Sequence, residues 1–125
     1  DFNMRYKTTP ENFEYFKDRC NFWQEFFGLI SWKMYFSHKR TDVLASCHTN
    51  YTGRVATITL NTSWNIPVIK EQLNESAIHE VLEMMMSPLL VMAKSRVWEM
   101  EDYEKEHHSI IRTLERLFTA KTKEV

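Results

Sequence analysis

The stretch AIHEVLEMMM, from Ala77 to Met86, places His79, Glu80 and Glu83 within five residues. On a helix, residues four apart share a face. The imidazole of His79 and the carboxylate of Glu83 can then reach one ion at about 2.0–2.2 Å, the usual zinc distances. Glu80 points in an adjacent direction, where a carboxylate can polarise a metal-bound water without ligating the ion. The same His79–Glu83 spacing also makes an ordinary helix-surface pair, worth a few tenths of a kcal/mol.

A zinc site needs a third protein ligand and an open position for water. The last helical segment, EDYEKEHHSIIRTLERLF, has an apolar stripe at Ile110, Ile111, Leu114, Leu117 and Phe118. His107 extends that stripe by one turn, so it is expected to point inward, with His108 more exposed. His107 is the expected third ligand and His108 the reserve, with Glu104 and Glu106 as further fallbacks. Without a metal, an inward His107 is a part-buried histidine bonded to a carboxylate or carbonyl.

The elements that must hold these groups follow from period and punctuation. Thr9-Pro10 is a capping residue followed by Pro at the first helical position. Phe13, Phe16, Cys20, Trp23 and Phe27 recur at helical spacing before Gly28 closes the helix. So aromatic a helix is expected to pack on a sheet. Trp32, Met34 and Phe36 then alternate with polar partners, DVLASCHT from Asp42 is a second strand, NYTGR a turn, and VATITLN the clearest strand. An antiparallel meander is the simplest pairing. Pro67 in SWNIPVIKEQL allows an edge strand or a turn. Asn74 is expected to cap the next helix, which runs to about Lys94 with a kink at Pro88. RVWEM leads to a final helix from about Glu101 to Thr122. The expected fold is α+β: an N-terminal helix, a small antiparallel sheet of three to four strands, the His79 helix and a C-terminal helix.

The central helix carries two stripes. Ile78, Val81, Leu82, Met85, Leu89 and Met92 form a core face. His79, Glu83, Met86 and Leu90 form a second, polar at its start. Met84-Met85-Met86 and the aromatic first helix read first as core.

At 125 residues the chain suits a single domain, residues 1–125. Its 43% hydrophobic and 26% charged content is that of a globular chain. A net charge of −1 offers no footprint for nucleic acid. The longest apolar run, Met84–Ala93, is broken by Ser87-Pro88, so no membrane span is expected. Cys20 and Cys47 are too few for a disulfide framework and read as free, part-buried thiols. The sequons at Asn50, Asn61 and Asn74 read as turn and cap chemistry.

The run IHEVLEMMMSPLL followed by HHSIIRTLERLF resembles the zincin-type zinc metallopeptidases, in particular the small metallopeptidase-like proteins of phage and bacterial genomes. The resemblance covers roughly Trp32 to Phe118, with His-Glu-x-x-Glu in place of His-Glu-x-x-His. It implies a minimal zincin-like domain with Zn2+ held by His79, Glu83 and His107, and Glu80 as general base. It also implies a peptide or protein substrate paired to an edge strand, either VATITL or the segment near Ile66. Glu83 leaves the ion less positive than an imidazole would, and so less able to activate water. With no h-region in DFNMRYKTTP, the expected location is cytoplasmic, in a bacterium or phage-infected host. The competing reading is a catalytically weak or inactive zincin-like binding or phage-structural module. A di-iron reading of Glu104-x-x-His107 would need a second such motif and four long helices.

Overall fold

The computed structural model describes residues 4–95 and 99–123, of which 118–123 as backbone alone. The architecture is α+β, as the periodicities imply. The order is β1 (Tyr6–Lys7), α1 (Pro10–Phe26), β2 (Lys33–Lys39), β3 (Ala45–Asn50), β4 (Val55–Asn61), β5 (Ser63–Trp64), α2 (Lys70–Lys94) and α3 (Met100–Lys123). Arg96, Val97 and Trp98, expected as connector, lie outside the described residues, as does the side chain of Phe118. The chain's contacts divide it into two compact units, Asp1–Met84 and Met85–Val125.

In the first unit, α1 begins and ends as its sequence dictates. Thr9 and Asn12 form a reciprocal capping box, and Pro10 occupies the first turn. At the other end Gly28 adopts φ 71°, and its N–H bonds Glu25 O while Leu29 N bonds Gln24 O. These are the two bonds of a Schellman motif, which needs a left-handed residue where Gly28 stands. Phe16, Cys20 and Phe27 are buried, whereas Phe22 and Phe26 are exposed, so the aromatic helix is core on one side only. The Phe13 ring stacks on His38 of β2, 4.8 Å between centroids.

The sheet corrects the expected meander. The strand order is β2-β4-β3, with β4 antiparallel to β3 but parallel to β2. β4 takes the central place, with Ala56, Ile58 and Leu60 fully buried on one face and Thr59 nearly so on the other, where Thr57 stays exposed. The chain must therefore cross from β2 to the far edge before turning back, and Asn61 secures that crossing. Its Oδ1 accepts from the N–H groups of Thr41 and Ser63, and its Nδ2 donates to the carbonyls of Thr41 and Val43, at 2.8–3.2 Å. Asn50 does the same for the turn, accepting from Gly53 N at 3.1 Å. The left-handed residue of that turn is Arg54 (φ 53°), whose guanidinium lies over the rings of Trp32 and Tyr51. A separate two-stranded pair joins β1 to β5, and Ile66 falls in a bend rather than a strand.

α2 starts a turn earlier than expected, at Lys70, so Asn74 is not its cap. Its side-chain oxygen instead accepts from Arg19 Nε (2.7 Å) and Trp23 Nε1 (2.9 Å), tying α2 to α1. Leu73, Ala77, Val81 and Met84 are fully buried. α2 is also, among the described residues, the helix long and apolar enough to cross a bilayer by length and composition, a test that buried core helices pass too.

In the second unit, the helix continues through buried Pro88, which brings no N–H to the carbonyl four residues back. Met85 and Met92 are buried, whereas Met86 is exposed. On α3 the inward residue is Glu106, and His107 is exposed, contrary to expectation. Ile110 lies four residues after Glu106 and three after His107, so either can extend its stripe by one turn. Burial follows Glu106, Ile110, Thr113 and Leu117.

Candidate functional site

The first half of α2 turns its three candidate groups in two directions. His79 and Glu83 lie on its outer side, with side chains 68% and 55% exposed and Nε2 3.5 Å from Oε1. Glu80, 100° further round, is only 6% exposed. Burial pushes its carboxyl up from an ordinary 4.5 to about 7; His79 opposes that shift and the charge of Glu83 adds to it.

Cys20 of α1 and Cys47 of β3 are both free, and both feel the charge of Glu80. Burial raises both thiols, Cys47 to about 12, with the Glu80 charge second. They are therefore held as neutral thiols, poor nucleophiles and poor metal ligands.

A groove of about 340 Å³ opens between the start of β3 and the first half of α2, with Val43, Leu44 and Ala45 on one wall and Gln72, Glu75, Ser76, His79 and Glu80 on the other. The sequence offered a signal for the second wall. Gln72, Ser76, His79 and Glu83 follow helical spacing, so the polar stripe that begins at His79 continues backward by two turns. The strand wall had no such signal, because it exists only through the β2-β4-β3 order, which makes β3 an edge. VATITL, expected as a substrate-pairing edge, is the central strand with both edges taken. A second groove of similar volume shares Val43 and Leu44 and is lined by Arg5, Asp42, Ser63 and Asn65. Arg5 is fixed there by donating to the hydroxyl and carbonyl of Ser63.

The expected ligands are only partly gathered. His79 and Glu83 are spaced to share one ion. Among the described residues, no group of three or more His, Cys, Asp or Glu side chains is placed to hold a metal. His107 and His108 are both exposed on α3, and the His107 ring stacks on Tyr103, 5.9 Å between centroids. Glu104 is exposed and Glu106 buried. Comparison with protein-family models, curated proteins and solved structures found no match for this chain.

Proposed function

We propose that the β3–α2 groove is the working site of a hydrolase acting on peptides, with Glu80 as its general base. The observation that carries this reading is a buried carboxyl and an exposed imidazole side by side on one wall of a groove, whose other wall leads into a free strand edge. An extended peptide pairing with β3 through backbone hydrogen bonds would run past both groups. Glu80 would take the proton of the attacking water and return it to the leaving amine. The donor types of His79 and Glu83, and their separation, suit two positions on a zinc ion. Zinc bound there would supply a water of lowered pKa.

A second reading, a module that captures extended peptides at the same edge without cleaving them, is favoured by the two-donor set.

Two measurements test the proposal. Zinc should raise the melting temperature of the purified protein, and His79→Ala should abolish that rise. On a broad peptide mixture, zinc-loaded protein should cleave and Glu80→Gln should lose at least about 100-fold in rate. Equal cleavage by both, or none by either, removes Glu80 as the base. Peptide binding without cleavage supports the second reading.

A further inference from the structure

The second groove takes no part in the chemistry assigned to Glu80, yet its lining holds an oriented charge. Arg5 is the residue before β1, and Ser63 opens β5, the strand with which β1 pairs. Arg5 Nε donates to Ser63 Oγ at 3.0 Å, and its Nη2 donates to the Ser63 carbonyl. Both bonds fall on one edge of the guanidinium. The other edge, formed by Nη1 and Nη2, keeps a parallel pair of N–H groups. Ser63 therefore orients this fork without filling it. Among the described residues no carboxylate pairs with Arg5, although Asp42 lines the same groove.

A planar fork of two N–H groups matches a carboxylate in bidentate contact. The Asp42 charge disfavours a dianion such as phosphate and leaves a monoanion the better ligand. Asn65, on the same lining, brings an amide suited to the neighbouring peptide group.

The ridge between the two grooves is fixed. Both grooves are lined by Val43 and Leu44. The Val43 carbonyl accepts from Asn61 Nδ2 and Thr41 Oγ1, each at 2.8 Å. The Leu44 carbonyl accepts from the Asn61 N–H at 3.0 Å and from Trp64 Nε1 at 3.1 Å. Val43 is 53% exposed, so a ligand can cross it. β3 begins just beyond, at Ala45. A peptide paired antiparallel to β3 therefore directs its carboxyl end toward Val43 and the second groove.

We propose that the second groove is a carboxylate subsite, in which the free edge of the Arg5 guanidinium receives a carboxylate of the peptide held along β3. This rests on the reading of the β3–α2 groove as a peptide site. It narrows the substrate to peptides that place a carboxylate beyond Val43, from a free carboxyl end or an acidic side chain. Arg5 is exposed, so replacing it alters the subsite rather than the fold.

Three sets of heptapeptides, randomised over uncharged residues, test this on the immobilised full chain: free acids, carboxamides, and carboxamides ending in Asp. Free acids or Asp-ended carboxamides should be retained at least about 10-fold better than plain carboxamides. Arg5→Gln should erase that preference with circular dichroism unchanged, and Arg5→Lys, which keeps the charge without the fork, should recover it only in part. Retention of the free acids alone assigns the carboxylate to the chain end, and retention of the Asp-ended set alone assigns it to a side chain. Equal retention of all three sets, or a preference that survives Arg5→Gln, overturns the subsite and leaves the peptide groove standing. Retention of none overturns both. An Arg5-dependent preference without cleavage upholds the subsite and counts only against hydrolysis by Glu80.

Discussion

Glu80 and His79 are sequence neighbours that line the same groove, yet the carboxyl is buried and the imidazole stands in solvent. The first consequence concerns stability against pH. A carboxyl whose folded pKa lies above its unfolded value binds its proton more tightly in the folded state. It therefore favours folding below about pH 4.5, and that advantage is lost as pH rises through about 7. Glu80→Gln, which cannot ionise, should match wild type near pH 5 and exceed it near pH 8 by on the order of 2–3 kcal/mol. Urea unfolding of metal-free protein at the two pH values checks this. An equal loss at both would show that the carboxyl is not held neutral.

Asn61 fills four hydrogen-bonding roles at once, at a position 2% exposed. Asn61→Leu would leave two N–H groups and two carbonyls without these partners, so a loss of roughly 3–5 kcal/mol is expected. Asn61→Asp keeps the two acceptor bonds but turns an oxygen toward the carbonyls of Thr41 and Val43. It should be less damaging at pH 4 than at pH 7, as denaturant midpoints would show.

The two glycines should respond differently to alanine. Gly28 sits at φ 71°, where a Cβ costs about 1–2 kcal/mol. A Cβ on Gly53 would meet Val55 and Asn50 atoms at 3.7–3.8 Å, ordinary contact distances. Gly53→Ala is therefore expected near neutral, or stabilising by about 0.4–1 kcal/mol through a less flexible unfolded chain. Thermal melts of the two variants should move apart.

Both thiols should resist alkylation. At pH 8 a Cys47 held near pKa 12 is almost wholly neutral, so iodoacetamide should label it far more slowly than an unstructured cysteine. Cys20, fully buried and raised further, should label only after denaturation. Mass spectrometry over a time course would show one slow adduct, then a second once urea is added.

How much of this was legible depended on whether the signal was local. VATITLN announces a strand because β-branched residues alternate within it, and its bounds match β4. Thr9-Pro10 and Gly28 specify both ends of α1 by backbone chemistry alone. The order of the strands was hidden because it depends on a tertiary latch. Nothing near Asn61 shows that its amide will bond a segment some twenty residues earlier. Asn74 misled for the same reason: its oxygen serves Arg19 and Trp23 across the fold. On α3 the adjacent pair Ile110-Ile111 leaves the helix phase ambiguous by one position, and the structure resolves it toward Glu106. At the candidate site, the pairing of His79 with Glu83 followed from spacing, whereas the burial of Glu80 and the strand wall of the groove required the sheet.

The place of β4 between its neighbours also fixes an order of assembly. Each β2 residue pairs with one 22 positions further on, as Lys33 does with Val55, whereas β3 and β4 are joined by a short turn. A hairpin of that kind closes within about 1–10 μs, and the longer parallel pairing must wait for a larger loop to close. During synthesis β2 emerges first and has no partner until β4 has left the ribosome. Met34, Tyr35 and Phe36 therefore spend that interval as an unpaired apolar strand, the stage at which a growing chain is most exposed to aggregation.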